Sequence, residues 1–261
     1  MSKQVELSIV IPTYNERENI QQLIKSIAKV FPKIVYEIIV VDDRSPDKTG
    51  ESAQEMVLSG HPVRVIYKDK KEGIGAALRV GYNASYGDFI ASIDADLSFR
   101  VQDLKRLYEN MSNGADLVVG SRHSKNSFYE IPNSVIRKKY FISKCGNQFL
   151  RFVTGIPLHD FSANFRMIRK DVWASICTKE NRNFLLFEMI LKAWVCGFQV
   201  EEIPVSFFDR RLGQSKLHLS TEVPKFLFKL CVYLFQHAAV LYGKRPLKSQ
   251  IGIYIKEGVH S

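Results

Sequence analysis

The pattern Asp94-Ala95-Asp96 directly follows an apolar run at residues 89–93. Two carboxylates separated by one small residue can converge on a single cation when the chain turns at Ala95. A hard cation such as Mg²⁺ or Mn²⁺ binds oxygen ligands and keeps positions for phosphate oxygens. Because aspartates are also common in loop turns, this pattern predicts a metal site only together with other residues.

A second acidic cluster, Asp42-Asp43 with Asp47, follows another apolar run at residues 37–41. Asp42 and Asp43 are candidates for hydrogen bonds to a base or a ribose. Asp47 instead suits an Asx turn that caps a helix from Thr49. The carboxyl ends of parallel strands meet at one sheet edge, so we predict that the two acidic clusters lie at the same edge.

Short apolar, β-branched runs alternate with longer amphipathic segments over the first 120 residues. The predicted strands cover residues 7–12, 37–41, 63–67, 89–93 and 117–119. The predicted helices cover residues 18–30, the residues from about 49, and residues 74–86. This alternation is typical of an α/β fold with a parallel sheet covered by helices. We therefore expect the chemistry in the loops after residues 11, 41 and 93.

The remaining half of the chain is less regular. Residues 121–157 are basic and predict a loop-like segment that leads into an apolar helix near residues 148–154. A helix that carries Phe187-Glu188-Met189 and a strand near residues 198–205 follow. The apolar segment 223–242 is interrupted by polar residues and predicts an amphipathic helix without a transmembrane span. That helix either packs on the domain or contacts a membrane surface or a partner.

The composition indicates one globular domain with an appended element: 261 residues, 46% hydrophobic and 25% charged, with a net charge of +10. We place a catalytic domain at residues 1–220 and an amphipathic helix and tail at 221–261. The positive charge favours an anionic ligand or an acidic membrane surface. Its basic residues cluster beside acidic motifs and not along one exposed helix, which disfavours nucleic-acid binding. The four cysteines form no CxxC pair, so we expect reduced, mostly buried thiols and no zinc site.

Several ordered motifs carry a family resemblance. They are Ser8-Ile9-Val10-Ile11-Pro12-Thr13-Tyr14-Asn15-Glu16, Val40-Val41-Asp42-Asp43, Gly73-Ile74-Gly75, Asp94-Ala95-Asp96-Leu97-Ser98, Gly120-Ser121-Arg122 and Arg210 to Lys216. Over about the first 220 residues the chain resembles the inverting family 2 glycosyltransferases of GT-A fold, a mixed, mostly parallel sheet flanked by helices. It is most similar to their polyprenyl-phosphate branch. The resemblance implies transfer of mannose from GDP-mannose to a dolichyl or polyprenyl phosphate, with Mg²⁺ or Mn²⁺ as cofactor.

The resemblance also implies roles for individual residues. The nucleotide pocket would be lined by Pro12, Tyr14, Glu16, Asp42, Asp43 and the backbone of Ala95. The metal and the diphosphate would be held by Asp94 and Asp96, with Ser98 a further substrate contact. Phosphate groups or the reacting sugar would be contacted by Arg122, Arg137, Lys139, Arg210, Ser215 and Lys216. The catalytic residues among these would be Asp96, Arg122, Arg210 and Lys216.

Two segments differ from the family's usual pattern. Ser98 and Phe99 stand where Gln or His often follows the acidic motif, and residues 160–166 replace a more usual Pro-Thr-Ser-Gly segment. A different sugar or acceptor is therefore an open alternative, such as glucose or N-acetylglucosamine from a UDP-sugar. A catalytically silent binding subunit is the alternative from outside the enzymes.

A phosphate acceptor is largely dianionic near neutral pH and needs no strong general base. A sugar hydroxyl would need one, and Glu188 or Asp160 would be the candidates. The N-terminus lacks the pattern of a signal peptide. We expect a cytoplasmic protein, or one bound peripherally at the cytoplasmic face of a membrane through the 223–242 helix or a small membrane-anchoring subunit.

Overall fold

The computed structural model describes residues 4–209 and 219–242, without the side chains of residues 219–222. Its strands, in chain order, are β1 (Leu7–Thr13), β2 (Tyr36–Asp42), β3 (Val63–Tyr67), β4 (Phe89–Ser92), β5 (Leu117–Ser121), β6 (Phe128–Tyr129), β7 (Arg166–Arg169), β8 (Val200–Pro204) and β9 (Ser206–Phe207). Seven of them form one sheet in the order β3-β2-β1-β4-β7-β5-β8. Strands β6 and β9 pair separately.

The large sheet is parallel except for β7, which lies antiparallel between β4 and β5. In the register, Arg166 at the start of β7 pairs with Ser92 on one side and Val119 on the other. The carboxyl ends of β1, β2, β4 and β5 and the amino end of β7 therefore lie at one edge. This topology confirms the predicted α/β class with a mixed, mostly parallel sheet.

The helices are α1 (Arg17–Val30), α2 (Thr49–Leu58), α3 (Ile74–Asn83), α4 (Asp103–Ser112), α5 (Ser134–Thr154), α6 (Lys170–Ser175), α7 (Phe184–Val195), α8 (Leu219–Gln236) and α9 (Ala238–Leu241). Side chains of α1, α2 and α4 pack on one sheet face in one apolar core. Side chains of α3, α6 and α7, with α8, pack in a second core on the other face. Strand residues such as Ile9, Val10 and Ile11 are buried on both faces, as expected of a covered parallel sheet.

The prediction of a loop-like segment at residues 121–157 was wrong for its larger part, because α5 covers 21 residues of it. The Asn133 side chain caps this helix by accepting from the Ile136 amide at 2.9 Å. Gly155, with φ of 67°, ends it. Few α5 side chains are buried, so the sequence lacks the wide apolar stripe that marks a core-facing helix. The sequence analysis also missed α4.

The C-terminal amphipathic segment forms α8 and α9, which are separated at His237. Leu230 and Val240 are buried in the core, so these helices pack on the domain. The predicted domain boundary at residue 220 falls in the first turn of α8, and the structure does not test it as a boundary. Among the described residues, no helix combines the length and apolarity needed to cross a membrane.

The four cysteines are all free thiols, but the expectation that most are buried was wrong. Cys145, Cys177 and Cys231 are exposed, and Cys196 is partly buried. Cys145 lies on the outer part of α5 and Cys231 on α8, the two helices whose surfaces the sequence did not resolve.

Candidate active site

The acidic pair lies directly beyond the carboxyl end of β4. Asp96 is 4% exposed, and its Oδ1 accepts hydrogen bonds from the Ser98 amide at 3.1 Å and the Ser98 hydroxyl at 2.6 Å. The chain turns sharply at Leu97, whose φ is 59°. Asp94 Oδ1 accepts a hydrogen bond from Asn164 Nδ2 at 2.8 Å. Ser98 thus orients Asp96, while Asn164 orients Asp94.

A buried ion pair stands next to this acidic pair, at the carboxyl end of β5. Arg122 donates through Nε to Asp160 Oδ2 at 2.7 Å and through Nη2 to Asp160 Oδ1 at 3.0 Å. The Asp160 side chain is 0% exposed and that of Arg122 is 14% exposed. The Arg122 backbone amide and the Ser162 hydroxyl also bond within this pair. Such a two-pronged contact fixes the plane of the guanidinium.

The electrostatics of this pair follow from burial and proximity. Burial alone would raise the pKa of the Asp160 carboxyl, but the charge and hydrogen bonds of Arg122 outweigh burial and hold that pKa well below its usual range. Burial lowers the pKa of Arg122, whereas Asp160, with a smaller contribution from Asp94, raises it. Both groups are therefore charged at neutral pH, and Asp160 is too weak a base to serve as the predicted alternative general base.

Arg166 is a second buried arginine, with 0% exposure. Its guanidinium donates to the carbonyls of Ala163 and Leu186, and burial lowers its pKa to about 10. These bonds tie the start of β7 to α7. Arg166 therefore stiffens the segment that carries Asn164.

The second acidic cluster occupies the carboxyl end of β2, as predicted. Asp42 is buried and accepts from the Thr13 hydroxyl at 3.1 Å and from the Ser45 amide at 2.8 Å. Asp43 pairs with Lys68 at 2.8 Å, with both side chains buried. These bonds hold the ends of β1, β2 and β3 together.

Three other residues line the same end of the sheet. The Lys71 ammonium lies 3.5 Å from the centroid of the Tyr14 ring, a cation–π contact. Glu16 accepts from Asn19 at 3.0 Å, and Pro12 is half-buried in β1. The structure therefore brings the predicted nucleotide-pocket residues to one end of the sheet.

Asp47 has the capping role predicted for it. Its Oδ1 accepts from the Thr49 amide at 3.0 Å, and its Oδ2 accepts from the Arg17 amide at 3.1 Å. The carboxylate thus ties the start of α1 to the start of α2.

The Gly73-Ile74-Gly75 motif begins α3 and allows another segment to approach closely. A Cβ atom at Gly73 would lie 2.7 Å from the Asn181 carbonyl oxygen, and one at Gly75 would lie 2.6 Å from the Arg182 carbonyl oxygen. Gly73 also has a φ of 109°, which other residues rarely adopt. These glycines therefore let the loop before α7 pack against the start of α3.

The basic residues Arg137 and Lys139 lie exposed in the first turns of α5, not in a loop. The helix connects to the ion pair through His123, whose ring lies 5.2 Å from that of Tyr140 and whose Nε2 is 2.9 Å from the Ser143 hydroxyl. Burial lowers the pKa of His123 to about 4, so this ring is neutral at pH 7. The start of α5 thus borders the site through an uncharged aromatic contact.

The three remaining predicted residues, Arg210, Ser215 and Lys216, lie outside the described residues. Glu188, the other predicted alternative base, is fully buried in α7. It accepts from the Lys179 and Glu180 amides and from the Tyr233 hydroxyl, and it pairs with Lys192 at 2.8 Å. All these partners belong to the loop before α7, to α7 itself or to α8, so Glu188 is a structural residue.

Sequence reasoning missed Asn164, Lys68 and Lys71 as members of the site. The two lysines follow β3, and their position after a parallel strand was a usable signal. Asn164 had a weaker signal, because it stands in a segment that departs from the family pattern. Its contact with Asp94 depends on β7 running antiparallel, which the alternating pattern did not reveal.

The donor set suits a hard divalent cation. Asp94 and Asp96 supply carboxylate oxygens, and each is oriented by a neutral hydrogen-bond donor. Among the described residues, no group of three or more histidine, cysteine, aspartate or glutamate side chains could enclose an ion. This matches Mg²⁺, which is usually held by one or two carboxylates and completed by water and substrate phosphates.

Comparison with known proteins gives three findings. The family model described as "Glycosyl transferase family 2" matches residues 8–176. A polyprenol monophosphomannose synthase of Mycolicibacterium smegmatis is 32% identical over 85% of this chain and 84% of its own length. A dolichol-phosphate mannosyltransferase of Pyrococcus furiosus is 35% identical over 97% of this chain and 71% of its own length.

Solved structures share the fold at lower identity. One of glucosyl-3-phosphoglycerate synthase from Mycobacterium tuberculosis, with Mn²⁺, UDP and glucosyl-3-phosphoglycerate, has a TM-score of 0.64 at 19% identity, covering 89% of this chain and 80% of that one. Another of the same enzyme, with Mg²⁺ and UDP, has a TM-score of 0.64 at 19% identity, covering 89% and 79%. These structures confirm the GT-A-like architecture.

Proposed function

The chain belongs to glycosyl transferase family 2, and on that basis we propose that it transfers mannose from GDP-mannose to a dolichyl or polyprenyl phosphate, with inversion. The names of the two curated relatives support the mannosyl donor and the lipid phosphate acceptor. The observation that carries the proposal is the placement of the Asp94 and Asp96 carboxylates beside the Arg122–Asp160 pair at one sheet edge. That edge can hold a diphosphate and a second anion together.

The donor nucleotide would lie across the ends of β1 and β2. Pro12, Tyr14, Glu16, Asp42 and Asp43 would line its pocket, with the backbone of Ala95 alongside. The Asp43–Lys68 pair and the hydrogen bonds of Asp42 hold this part of the site rigid. Such preorganisation reduces the entropy lost on nucleotide binding.

Asp94 and Asp96 would hold Mg²⁺ or Mn²⁺ against the diphosphate. The cation supplies neutralisation of the negative charge that develops on the departing nucleoside diphosphate. Ser98 keeps the Asp96 carboxylate in place by two hydrogen bonds, and would act through that residue. The protein's contribution at this point is orientation of charge before the reaction begins.

The acceptor phosphate would approach from the side of β5 and α5. Its dianion is already a nucleophile, so the absence of an effective base at Asp160 agrees with this acceptor. Arg122 lies where it can draw the phosphate in, and Arg137 and Lys139 on α5, with Arg210, Ser215 and Lys216, complete the proposed phosphate contacts. Attack on the face opposite the leaving group inverts the anomeric centre.

A lipid acceptor requires contact with a membrane. We place the protein peripherally at the cytoplasmic face, with α8 at the surface. Phe228 and Phe235 on α8 are 73% and 86% exposed, and Phe152 on α5 is 86% exposed. Exposed aromatic side chains beside lysines and arginines are typical of interfacial helices. A small membrane-anchoring subunit would be the alternative means of recruitment.

The test is release of GDP from GDP-mannose with Mg²⁺ or Mn²⁺, with and without a polyprenyl phosphate. We expect lipid-dependent release that falls at least about 100-fold in Asp96→Ala, because a direct ligand to the cation is lost. Asp171→Ala is the matched control, since this exposed carboxylate follows β7 at the opposite sheet edge. It should keep full activity.

Other outcomes would contradict the proposal in different ways. Activity with UDP-glucose or UDP-N-acetylglucosamine alone would keep the metal site and replace the donor. No turnover of any nucleotide sugar with the lipid would favour a catalytically silent binding subunit.

A further inference from the structure

The Asn164 side chain makes one hydrogen bond among the described residues, and its acceptor is Asp94. We propose that Asn164 is a positioning residue that fixes the Asp94 carboxylate and thereby sets the affinity of the cation site. This inference rests on the proposed function, because it assigns a role at the same metal site. It concerns a position where residues 160–166 depart from the family's usual segment.

The sheet register places the two residues opposite each other. Ser92 of β4 pairs with Arg166 of β7 in antiparallel register. Two residues beyond that pair on each chain stand Asp94 and Asn164. Directly opposed residues of an antiparallel pair project to the same side, which explains why the amide meets the carboxylate. The contact is therefore built into the backbone and does not depend on a flexible loop.

The orientation of the amide is set by chemistry. An ionised carboxylate only accepts hydrogen bonds, so the Asn164 NH₂ group and not its oxygen must face Asp94. The Asn164 oxygen is buried and has no hydrogen-bond partner among the described residues. A buried acceptor without a partner is unfavourable, so an asparagine that served only packing would be replaced without loss by an apolar residue. The contact with Asp94 is the interaction that explains this side chain.

A neutral donor suits a metal ligand better than a cation does. An arginine or lysine bonded to Asp94 would neutralise the charge that attracts Mg²⁺ or Mn²⁺. The two nearby arginines are engaged elsewhere, Arg122 by Asp160 and Arg166 by backbone carbonyls. Asn164 therefore orients the carboxylate and leaves its charge for the cation.

The experiment measures Mn²⁺ binding by electron paramagnetic resonance, with GDP present and without turnover. The Asn164→Leu variant keeps the branched shape and removes the donor. We expect its Mn²⁺ affinity to fall about 10- to 100-fold, the usual effect of losing a residue that orients a metal ligand. Turnover should recover as Mn²⁺ is raised, whereas the KM for the nucleotide sugar at saturating Mn²⁺ should change little.

Thr178→Val is the matched control, because Thr178 also has a buried polar atom without a partner among the described residues. Thr178 lies in the loop before α7, so this variant should bind Mn²⁺ as the wild type does. Asn164→Ala serves as the second variant and should show the same loss of Mn²⁺ affinity if Asn164→Leu fails to fold.

Two results would overturn the inference and can be told apart. Unchanged Mn²⁺ affinity in a folded Asn164 variant would remove the positioning role and leave the proposed function intact. No Mn²⁺ binding by the wild type with GDP would overturn the metal site itself, and with it both proposals.

Discussion

At the scale of single residues, the Arg122–Asp160 pair combines stability with a proposed role in anion binding. The carboxylate is fully buried and satisfied by Arg122, by Ser162 and by the Ala163 amide at 3.2 Å. A buried charge with all its hydrogen bonds made is tolerated, whereas the same charge without its partner is strongly unfavourable. The geometry of the guanidinium and the integrity of the β5 edge therefore depend on each other.

We predict that Arg122→Ala lowers the free energy of unfolding by about 3 kcal/mol or more, because Asp160 is left buried and unpaired. Urea unfolding followed by circular dichroism measures this change. The double variant Arg122→Ala with Asp160→Ala should be destabilised by less than the sum of the two single variants, since neither charge is then left alone. Additive effects would show that the pair does not couple energetically.

At the scale of elements, α8 connects a surface to the interior of the domain. Tyr233 of α8 donates to Glu188 at 2.9 Å, and Lys229 forms an ion pair with Glu180. Burial and the Glu188 charge raise the pKa of Tyr233 well above its usual range, so this hydroxyl remains a donor. The inner face of α8 is thus fixed to the loop before α7, while its outer face carries exposed phenylalanines.

We predict that Phe228→Glu combined with Phe235→Glu lowers partitioning onto anionic phospholipid vesicles by roughly 10-fold or more, because two apolar insertions are lost and two negative charges are added. Co-sedimentation with vesicles measures the change. Stability should be unaffected, since both side chains are largely exposed.

Leu58→Glu is the matched control for this helix surface. Leu58 ends α2 and is 84% exposed, so the change in charge and exposure is similar but the location differs. Equal loss of vesicle binding in the control would indicate a general charge effect and not a membrane face at α8. Unchanged binding in the double variant would favour recruitment by a separate membrane subunit.

At the scale of the whole molecule, the net charge of +10 attracts anions of several kinds. The described structure places Arg137 and Lys139 on an exposed helix that also carries Phe152. Basic and aromatic residues on one helix favour a lipid surface, although basic residues on an exposed helix are a feature that the sequence analysis did not expect. The charge distribution alone leaves two anionic surfaces to be compared.

We predict that vesicle binding weakens as NaCl rises from 50 to about 300 mM but persists in part, because apolar insertion is not screened. Binding to duplex DNA should be weak and should disappear over the same range, since it would rest on charge alone. Fluorescence titrations with both ligands measure the two salt dependences. Salt-resistant binding to DNA would contradict the expectation that nucleic acid is no partner.

The sequence by itself determined the alternating elements, the two acidic clusters and the edge at which they meet. These features depend on local patterns, since an apolar run predicts its strand and the polar residues after it predict the loop. Parallel connection then brings successive strand ends to one edge without further information. The family resemblance of the ordered motifs followed from the same segments.

Only the tertiary structure decided which side chains contact each other there. The antiparallel insertion of β7 brings Asn164 to Asp94, and packing in the interior assigns Asp160 to Arg122 and Glu188 to the α7–α8 contact. The physical reason is that these contacts join residues far apart in the chain, whose pairing depends on strand order and register. A local pattern carries neither, so partners, pKa shifts and the orientation of a carboxylate appear only when the sheet is assembled.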